Sequence, residues 1–367
     1  MRQAIVIGGG PAGSVSALLL ARQGWSATLV EQHRFPRDKV CGECLSALGA
    51  DVLARIGFFD QLLQHQPVRL VRTALHAPSG ASATTELPRP MWGISRVVLD
   101  GLLLDGARRE GVTIRQPARA EAIEPGPHPR IRLRDLQTNS IEDHSARCVI
   151  IADGKAALLG DDGPPPPTGD LGIKAHFTDV DGPADCIELF GTADCYGGLA
   201  PIEGGRWNAA FSVPADRVRK WRGHLDDIFS ELLSENVTLA RRLGPATRVG
   251  PWLASPLPRF RVRANWPRNI IPVGNAAAAI EPIGGEGMGL AIRSAELLAA
   301  ALSRPRGRDV PDDHRLGTEY RKLWSARGLA CRAAAVAVSS PRCANRFMPL
   351  VRAAPTSLRL ALGLIGK

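Results

Sequence analysis

Apolar positions open the chain as a short unbroken run, Ala4-Ile5-Val6-Ile7, whose length and β-branched character predict a strand buried on both faces. Glycines follow at once. From Ala12 to Gln23 the pattern becomes that of a helix rich in small residues, closed by Gly24 where helices commonly end. Trp25 to Val30 reads as a second strand with Glu31 at its end, and Arg96-Val97-Val98-Leu99-Asp100 opens a helix that continues to Gly111. Residues 66–95 and 168–262 alternate in strand-like fashion, most clearly at Gly172–Phe177, Cys186–Phe190 and Trp207–Val213, which predicts an antiparallel sheet. The run Gly163-Pro164-Pro165-Pro166-Pro167 predicts a stiff polyproline-type crossing into that unit. A further helix is expected from Met288 through Ala301, and 312–367 read as helical, with arginines between alanine and leucine runs.

The first strand, the glycines, the helix and the second strand form a unit with a physical logic. In Gly8-Gly9-Gly10-Pro11-Ala12-Gly13, Gly8 suits a tight turn, Gly10 lets the backbone approach a pyrophosphate, and Gly13 allows close helix-to-strand packing. The helix N-terminus offers unpaired N–H groups and partial positive charge to phosphates. Glu31 is placed for a ribose hydroxyl and disfavours a 2′-phosphate. A glycine motif alone is a weak signal, but in this setting it points to a dinucleotide.

Composition changes that picture little. At 367 residues the chain is long enough for two subdomains. Lys and Arg number 46 against 36 Asp and Glu, giving a net charge of +10. The arginines are scattered and aromatics are only 5%, so no basic stripe of the kind that binds nucleic acid is expected. Seven cysteines at irregular spacing do not read as a disulfide framework, and a reducing cytoplasm is expected. No stretch approaches 18 uninterrupted apolar residues, and the apolar start lacks the cleavage site of a signal peptide.

Three further segments decide which dinucleotide. They are Arg34-Phe35-Pro36-Arg37-Asp38-Lys39-Val40-Cys41-Gly42-Glu43, the Arg96 helix start, and Gly274-Asn275 followed by Glu281-Pro282-Ile283-Gly284-Gly285-Glu286-Gly287-Met288-Gly289. Together with the N-terminal motif, these resemble the flavoprotein group that holds geranylgeranyl reductases, flavin-dependent halogenases and aromatic-hydroxylase (class A) monooxygenases. The resemblance runs from residue 1 to about 300. It implies an α/β fold: a Rossmann-like FAD-binding domain, an inserted antiparallel substrate sheet, and a C-terminal helical segment. The expected parts are 1–66 with 95–165 and 265–305 for FAD, 67–94 with 166–264 for substrate, and 306–367 for the helices. The resemblance implies non-covalent FAD contacted by Gly8, Gly10, Pro11, Ala12, Gly13, Glu31, Arg37, Lys39, Cys41, Arg96, Asp153, Gly154, Gly274, Asn275, Pro282, Gly285, Glu286, Gly287 and Met288. NAD(P)H is the implied transient electron donor. The loop from Gly284 to Gly289 is too rich in glycine for a helix interior but can bring backbone N–H groups close to a flat ring. Asn275 stands where the group usually has Asp, and Asp153-Gly154-Lys155 lacks the Ser and Arg that often follow.

Cys41-Gly42-Glu43-Cys44 has CxxC spacing, but no second pair follows, so zinc is not expected. The resemblance implies that Cys41 and Gly42 sit beside the flavin without a disulfide. Tyr196 and Trp207 are further candidates near the flavin, Tyr196 on a hairpin like the one that contributes to the reductase pocket, and Trp207 with Phe211 as a dry roof. A lone His in an alternating strand is more often structural than catalytic, and His176 is read so. The C-terminal segment is expected to pack on the parent domain, with peripheral membrane contact as the alternative. The favoured activity is NAD(P)H-driven hydroxylation of a hydrophobic aromatic or polyketide-like molecule. Alternatives are reduction of prenyl or lipid-like chains and a non-catalytic carrier; a halogenase is not expected, because the Trp-x-Trp-x-Ile-Pro signature is absent.

Overall fold

The computed structural model describes residues 2–154, 157–160, 170–303 and 313–353, with Arg359 and Gly363 beyond them. The proline run at 163–167 lies outside the described residues. A five-stranded parallel sheet forms the base of the molecule, in the order Ile270–Pro272, Cys148–Ile151, Gln3–Ile7, Ser26–Val30, Thr113–Arg115. Gln3–Ile7 lies at its centre, so successive side chains enter opposite cores. Ala4 and Val6 join a core with the helices Pro11–Arg22, Arg96–Arg109 and Gly287–Leu302. Ile5 and Ile7 face a three-stranded antiparallel meander, 118–145, through Ile131 and Leu133. Burial on both faces is why this strand reads as continuous apolar residues rather than an alternation.

A second, eight-stranded sheet stands beside it, in the order Thr247–Pro256, Leu171–Thr178, Trp207–Val213, Tyr196–Pro201, Cys186–Gly191, Val68–His76, Ser82–Gly93, Cys44–Leu45. All its pairs are antiparallel except one: Cys186–Gly191 runs parallel to Val68–His76, Cys186 opposite Arg72. These strands come from segments far apart in the chain, so no hairpin constrains their direction. Ile173, Phe177, Phe211 and Val213 point to one face, where Ile228, Leu232, Leu239 and Leu243 of two short helices, with Val218 of a third, cover them. The alternation then turns Lys174, His176, Asn208 and Ser212 toward the parallel-sheet body. Trp207 belongs to the outer core, against Gly182, which corrects its place as a residue near the flavin. The ring of Phe211 shares that core and lies over Gly197, but Phe211 also borders the cavity between the sheets, so of the two expected roof residues only Trp207 is displaced.

The long helix Asp313–Val338 returns to the main core, burying Leu316, Tyr320, Trp324, Cys331 and Ala335. Tyr320 Oη donates to Pro272 O at 3.0 Å, tying the helix to the edge of the parallel sheet. Pro341–Ala353 follows, with Ala344 and Met348 packed on Ala77 and Ala83. Among the described residues no helix is long and apolar enough to cross a membrane.

Candidate functional site

The N-terminal motif folds as its residue types require. Gly8 has φ +105°, and a Cβ there would lie 2.4 Å from Ala152 O; a Cβ on Gly13 would lie 1.8 Å from Gly8 O. Only glycine lets the helix start this close to the two strands it leaves. Pro11 occupies the first helical turn, where its missing N–H costs nothing. Glu31, buried at the end of its strand, accepts from Gly9 N at 2.7 Å through Oε2 and from His33 N at 2.8 Å through Oε1. Arg37 Nε stands 3.9 Å from the same carboxylate. The first role of Glu31 visible here is therefore to hold the glycine loop in shape.

Beyond this loop a cavity opens between the two sheets. Gly10, Pro11, Ala12, Lys39, Cys41, Gly42, Arg96, Gly154, Gly274, Asn275, Pro282, Gly285, Gly287 and Met288 line its base. Gly8, Gly13, Glu31, Arg37, Asp153 and Glu286 are not in that lining. Its far wall is the inner face of the eight-stranded sheet, with Ile187, Leu189, Tyr196, Gly198 and Ala200, and Trp324 of the long C-terminal helix completes the enclosure. Sequence reading placed no C-terminal residue here; the buried aromatic at Trp324 was its only trace.

The polar groups of the base are tightly held. Arg96 donates to Asp100 through Nε at 2.8 Å and Nη2 at 2.6 Å, and also to the Cys41 sulfur. Burial works against the Arg96 charge, but the Asp100 carboxylate beside it prevails and raises its pKa above the ordinary value. Cys41 and Cys44 are both free thiols. Lys39 Nζ lies near Gly154, half-buried, and its pKa falls from 10.5 to about 8, first through burial and then through the charges of Arg96 and Arg37. On the opposite wall Tyr196 Oη donates to Glu281 Oε1 at 2.7 Å, while Arg332 of the C-terminal helix holds Oε2 at 2.9 Å. Burial and then the Glu281 charge raise the Tyr196 pKa well above its ordinary value, so the hydroxyl remains a donor.

His176, read as structural, is 2.7 Å from Glu43 Oε2 through Nε2. Lys174, two residues away on the same face, reaches Asp38 Oδ1 at 2.5 Å and Glu43 Oε1 at 2.6 Å. Ligand atoms of Asp38, Glu43 and His176 lie within 4.8 Å of one another, but the Lys174 ammonium supplies the positive charge between the two carboxylates. The i, i+2 spacing of Lys174 and His176 in an otherwise apolar strand was the available sequence signal.

The base of the cavity fits a flat anionic cofactor. A Cβ placed on Gly42 or Gly287 would meet nothing within 4 Å, and on Gly10 only Arg96 Nη2 at 3.6 Å, so the backbone itself faces open space. Two helix N-termini, at Pro11 and Gly287, converge on that space and favour negative charge. A family model described as an FAD binding domain matches residues 1–308. The chain belongs to this FAD-binding family. Menaquinone reductase of Mycolicibacterium smegmatis is 24% identical over 412 residues, covering 99% of this chain and 90% of that protein. Kynurenine 3-monooxygenase of Stenotrophomonas maltophilia is 30% identical over 168 residues, 43% of this chain and 36% of that one. A geranylgeranyl bacteriochlorophyll reductase-like structure from Thermoplasma acidophilum superposes with a TM-score of 0.78 at 19% identity, covering 96% and 92% of the two chains. The flavin-dependent halogenase CmlS gives a TM-score of 0.72 at 21% identity; this chain spans 63% of its length. The chain is thus an FAD-dependent oxidoreductase by family, with reductase and monooxygenase neighbours.

A bound anion beside Lys39 would favour its ammonium form and draw its pKa back up. FAD binding should therefore take up a proton above pH 8, since the free-protein pKa is about 8. The expected result is FAD affinity that is highest below pH 8 and falls by up to about tenfold per pH unit above it. Fluorescence titration of the apoprotein across pH measures this; an equal slope in Lys39→Met would place the proton elsewhere.

Proposed function

We propose that the chain reduces carbon–carbon double bonds in a long apolar substrate such as a prenyl chain, with non-covalent FAD in the cavity and NAD(P)H as a visiting donor. The observation that carries this reading is the wall facing the cofactor base. The described residues of that wall are apolar, Phe211 among them, apart from Tyr196 and Ser212, and these two hydroxyls bond each other and Glu281. An aromatic substrate for hydroxylation carries hydroxyl, amino or carboxyl groups, and burying these without partners costs roughly 1–3 kcal/mol each. A hydrocarbon chain has no such demand. We set the alkene-reductase reading above the hydroxylation favoured from the sequence because side-chain direction, invisible in sequence, turns Trp207 outward and leaves an apolar wall with few polar partners. Similarity to menaquinone reductase along nearly the whole chain supports the reading, whereas the match to kynurenine 3-monooxygenase covers less than half of it.

Bound FAD supplies two-electron redox chemistry. The chain's own residues then have distinct tasks. Gly10, Pro11 and Ala12 would present the first helix terminus to the phosphates, and Gly274 and Asn275 would hold the ribityl chain. Gly285, Gly287 and Met288 would bring a second helix terminus to the ring. Arg96, held by Asp100, positions Cys41 at the cavity edge, and Trp324 and the apolar wall exclude water.

The test is anaerobic. Protein whose flavin has been reduced by NADPH is mixed with a polyprenyl lipid, and products are analysed by mass spectrometry. Gain of two hydrogens per double bond with return of the oxidised flavin spectrum is the expected result. Incorporation of an atom of labelled O₂ into an aromatic substrate under air, with no alkene reduction, would restore the hydroxylase reading.

A further inference from the structure

The ion network of Asp38, Glu43, Lys174 and His176 lies between solvent and the cavity, and no step above uses it. Glu43 is fully buried with φ +55°, a left-handed conformation uncommon for a side chain of its kind. Glu43 is part of the cavity wall, and its buried carboxylate accepts through Oε1 from Arg96 N at 2.8 Å as well as from Lys174. At the other end Asp38 has a side chain 28% exposed, its Oδ1 accepting from its neighbour Lys39 N at 2.7 Å. His176 stands between them. Its Nε2 is 2.7 Å from Glu43 Oε2, and its Nδ1 is 3.8 Å from Asp38 Oδ2. A small turn of the partly exposed Asp38 carboxylate closes the longer gap.

From this arrangement we propose that Asp38, His176 and Glu43 form a proton route from solvent to the flavin cavity. An imidazole with a carboxylate at each ring nitrogen can take a proton at Nδ1 and release one at Nε2. Lys174, between the two carboxylates, keeps the chain of charges close to neutral as the proton passes. The strand Leu171–Thr178 supplies Lys174 and His176, and the segment before Cys44–Leu45 supplies the two acids. On the neighbouring strand the residue opposite His176 is Asn208, whose amide donates to Cys41 O and carries no charge. When single-electron donors reduce FAD to FADH−, two electrons come from the donor and one proton comes from water, entering through Asp38, crossing His176 and arriving at Glu43. A hydride from NAD(P)H carries its own hydrogen to the flavin, and the solvent proton is then the one that completes reduction of a substrate. The route goes beyond the proposed alkene reduction and does not depend on it.

The test needs no substrate. The holoprotein in unbuffered anaerobic solution with a pH-indicator dye is mixed with reduced methyl viologen, a one-electron donor that releases no proton, and proton uptake is followed beside flavin bleaching. His176→Gln can still place an amide N–H against Glu43 but cannot relay a proton, and uptake should slow by roughly 100-fold while FAD affinity stays near wild type. Asp38→Asn, at the half-exposed end, is expected to slow uptake likewise and decides the matter where His176→Gln does not fold. A purely structural clamp would change FAD affinity or stability but not the uptake rate of protein that retains flavin. Wild-type uptake in either variant with flavin bound overturns the route.

Discussion

Gly13→Ala should unfold the FAD-binding half of the protein, whereas Gly10→Ala, three residues earlier, should leave the fold intact and remove FAD. At Gly13 the added Cβ would sit 1.8 Å from Gly8 O and 3.1 Å from Ala152 Cβ. Both neighbours are anchored by strands, Gly8 N donating to Val30 O and Ala152 N to Ile7 O. The backbone must part, at a cost of about 3 kcal/mol or more. At Gly10 the backbone has φ −73°, open to any residue, and the nearest atom to a Cβ is Arg96 Nη2 at an ordinary 3.6 Å. The apoprotein should then stay within about 0.5 kcal/mol of wild type. The methyl group would instead occupy space the phosphates need. Denaturant midpoints of the two apoproteins, read beside flavin content on purification, check both halves. A yellow Gly10→Ala protein of normal affinity would remove Gly10 from the cofactor contacts.

Lys174→Met is expected to be the most damaging change outside the glycine loop. Lys174 is wholly buried and bonded to two carboxylates, one of them the fully buried Glu43. Removing the ammonium leaves those acids without their shared counter-charge, a loss of about 3–5 kcal/mol for a buried ion pair broken on one side. The double variant Lys174→Met/Glu43→Gln should recover part of that loss, because it removes the stranded charge along with its partner. Thermal and chemical denaturation of the single and double variants measure the difference. Equal stability of the two would mean that Glu43 does not depend on Lys174 for its burial.

Much of the cofactor half was legible because its information is local. A buried strand of Ala4 to Ile7, a glycine that alone tolerates φ +105° and a second that alone tolerates contact at Gly8 O are each set by neighbouring residues. The helix starts at Pro11 and at Gly287 follow in the same way from proline and glycine chemistry. The i, i+4 pairing of Arg96 with Asp100 is likewise a property of one helix, although its burial is not.

What the chain order could not show is how distant segments meet. Alternation along Trp207–Val213 defines two faces but not which one looks into the cavity, and only the docking of three helices sent Trp207 outward. Glu43 and His176 are 133 residues apart, and nothing local predicts their 2.7 Å contact. The same holds for the parallel pairing of Cys186–Gly191 with Val68–His76, and for Trp324 reaching the cavity from the last long helix. The sequence by itself determined the FAD-binding frame, because backbone conformation and helix termini depend on adjacent residues. Tertiary structure decided the character of the substrate wall and the buried charges behind it, because both depend on which faces of remote strands are pressed together and which ions must then find partners away from water.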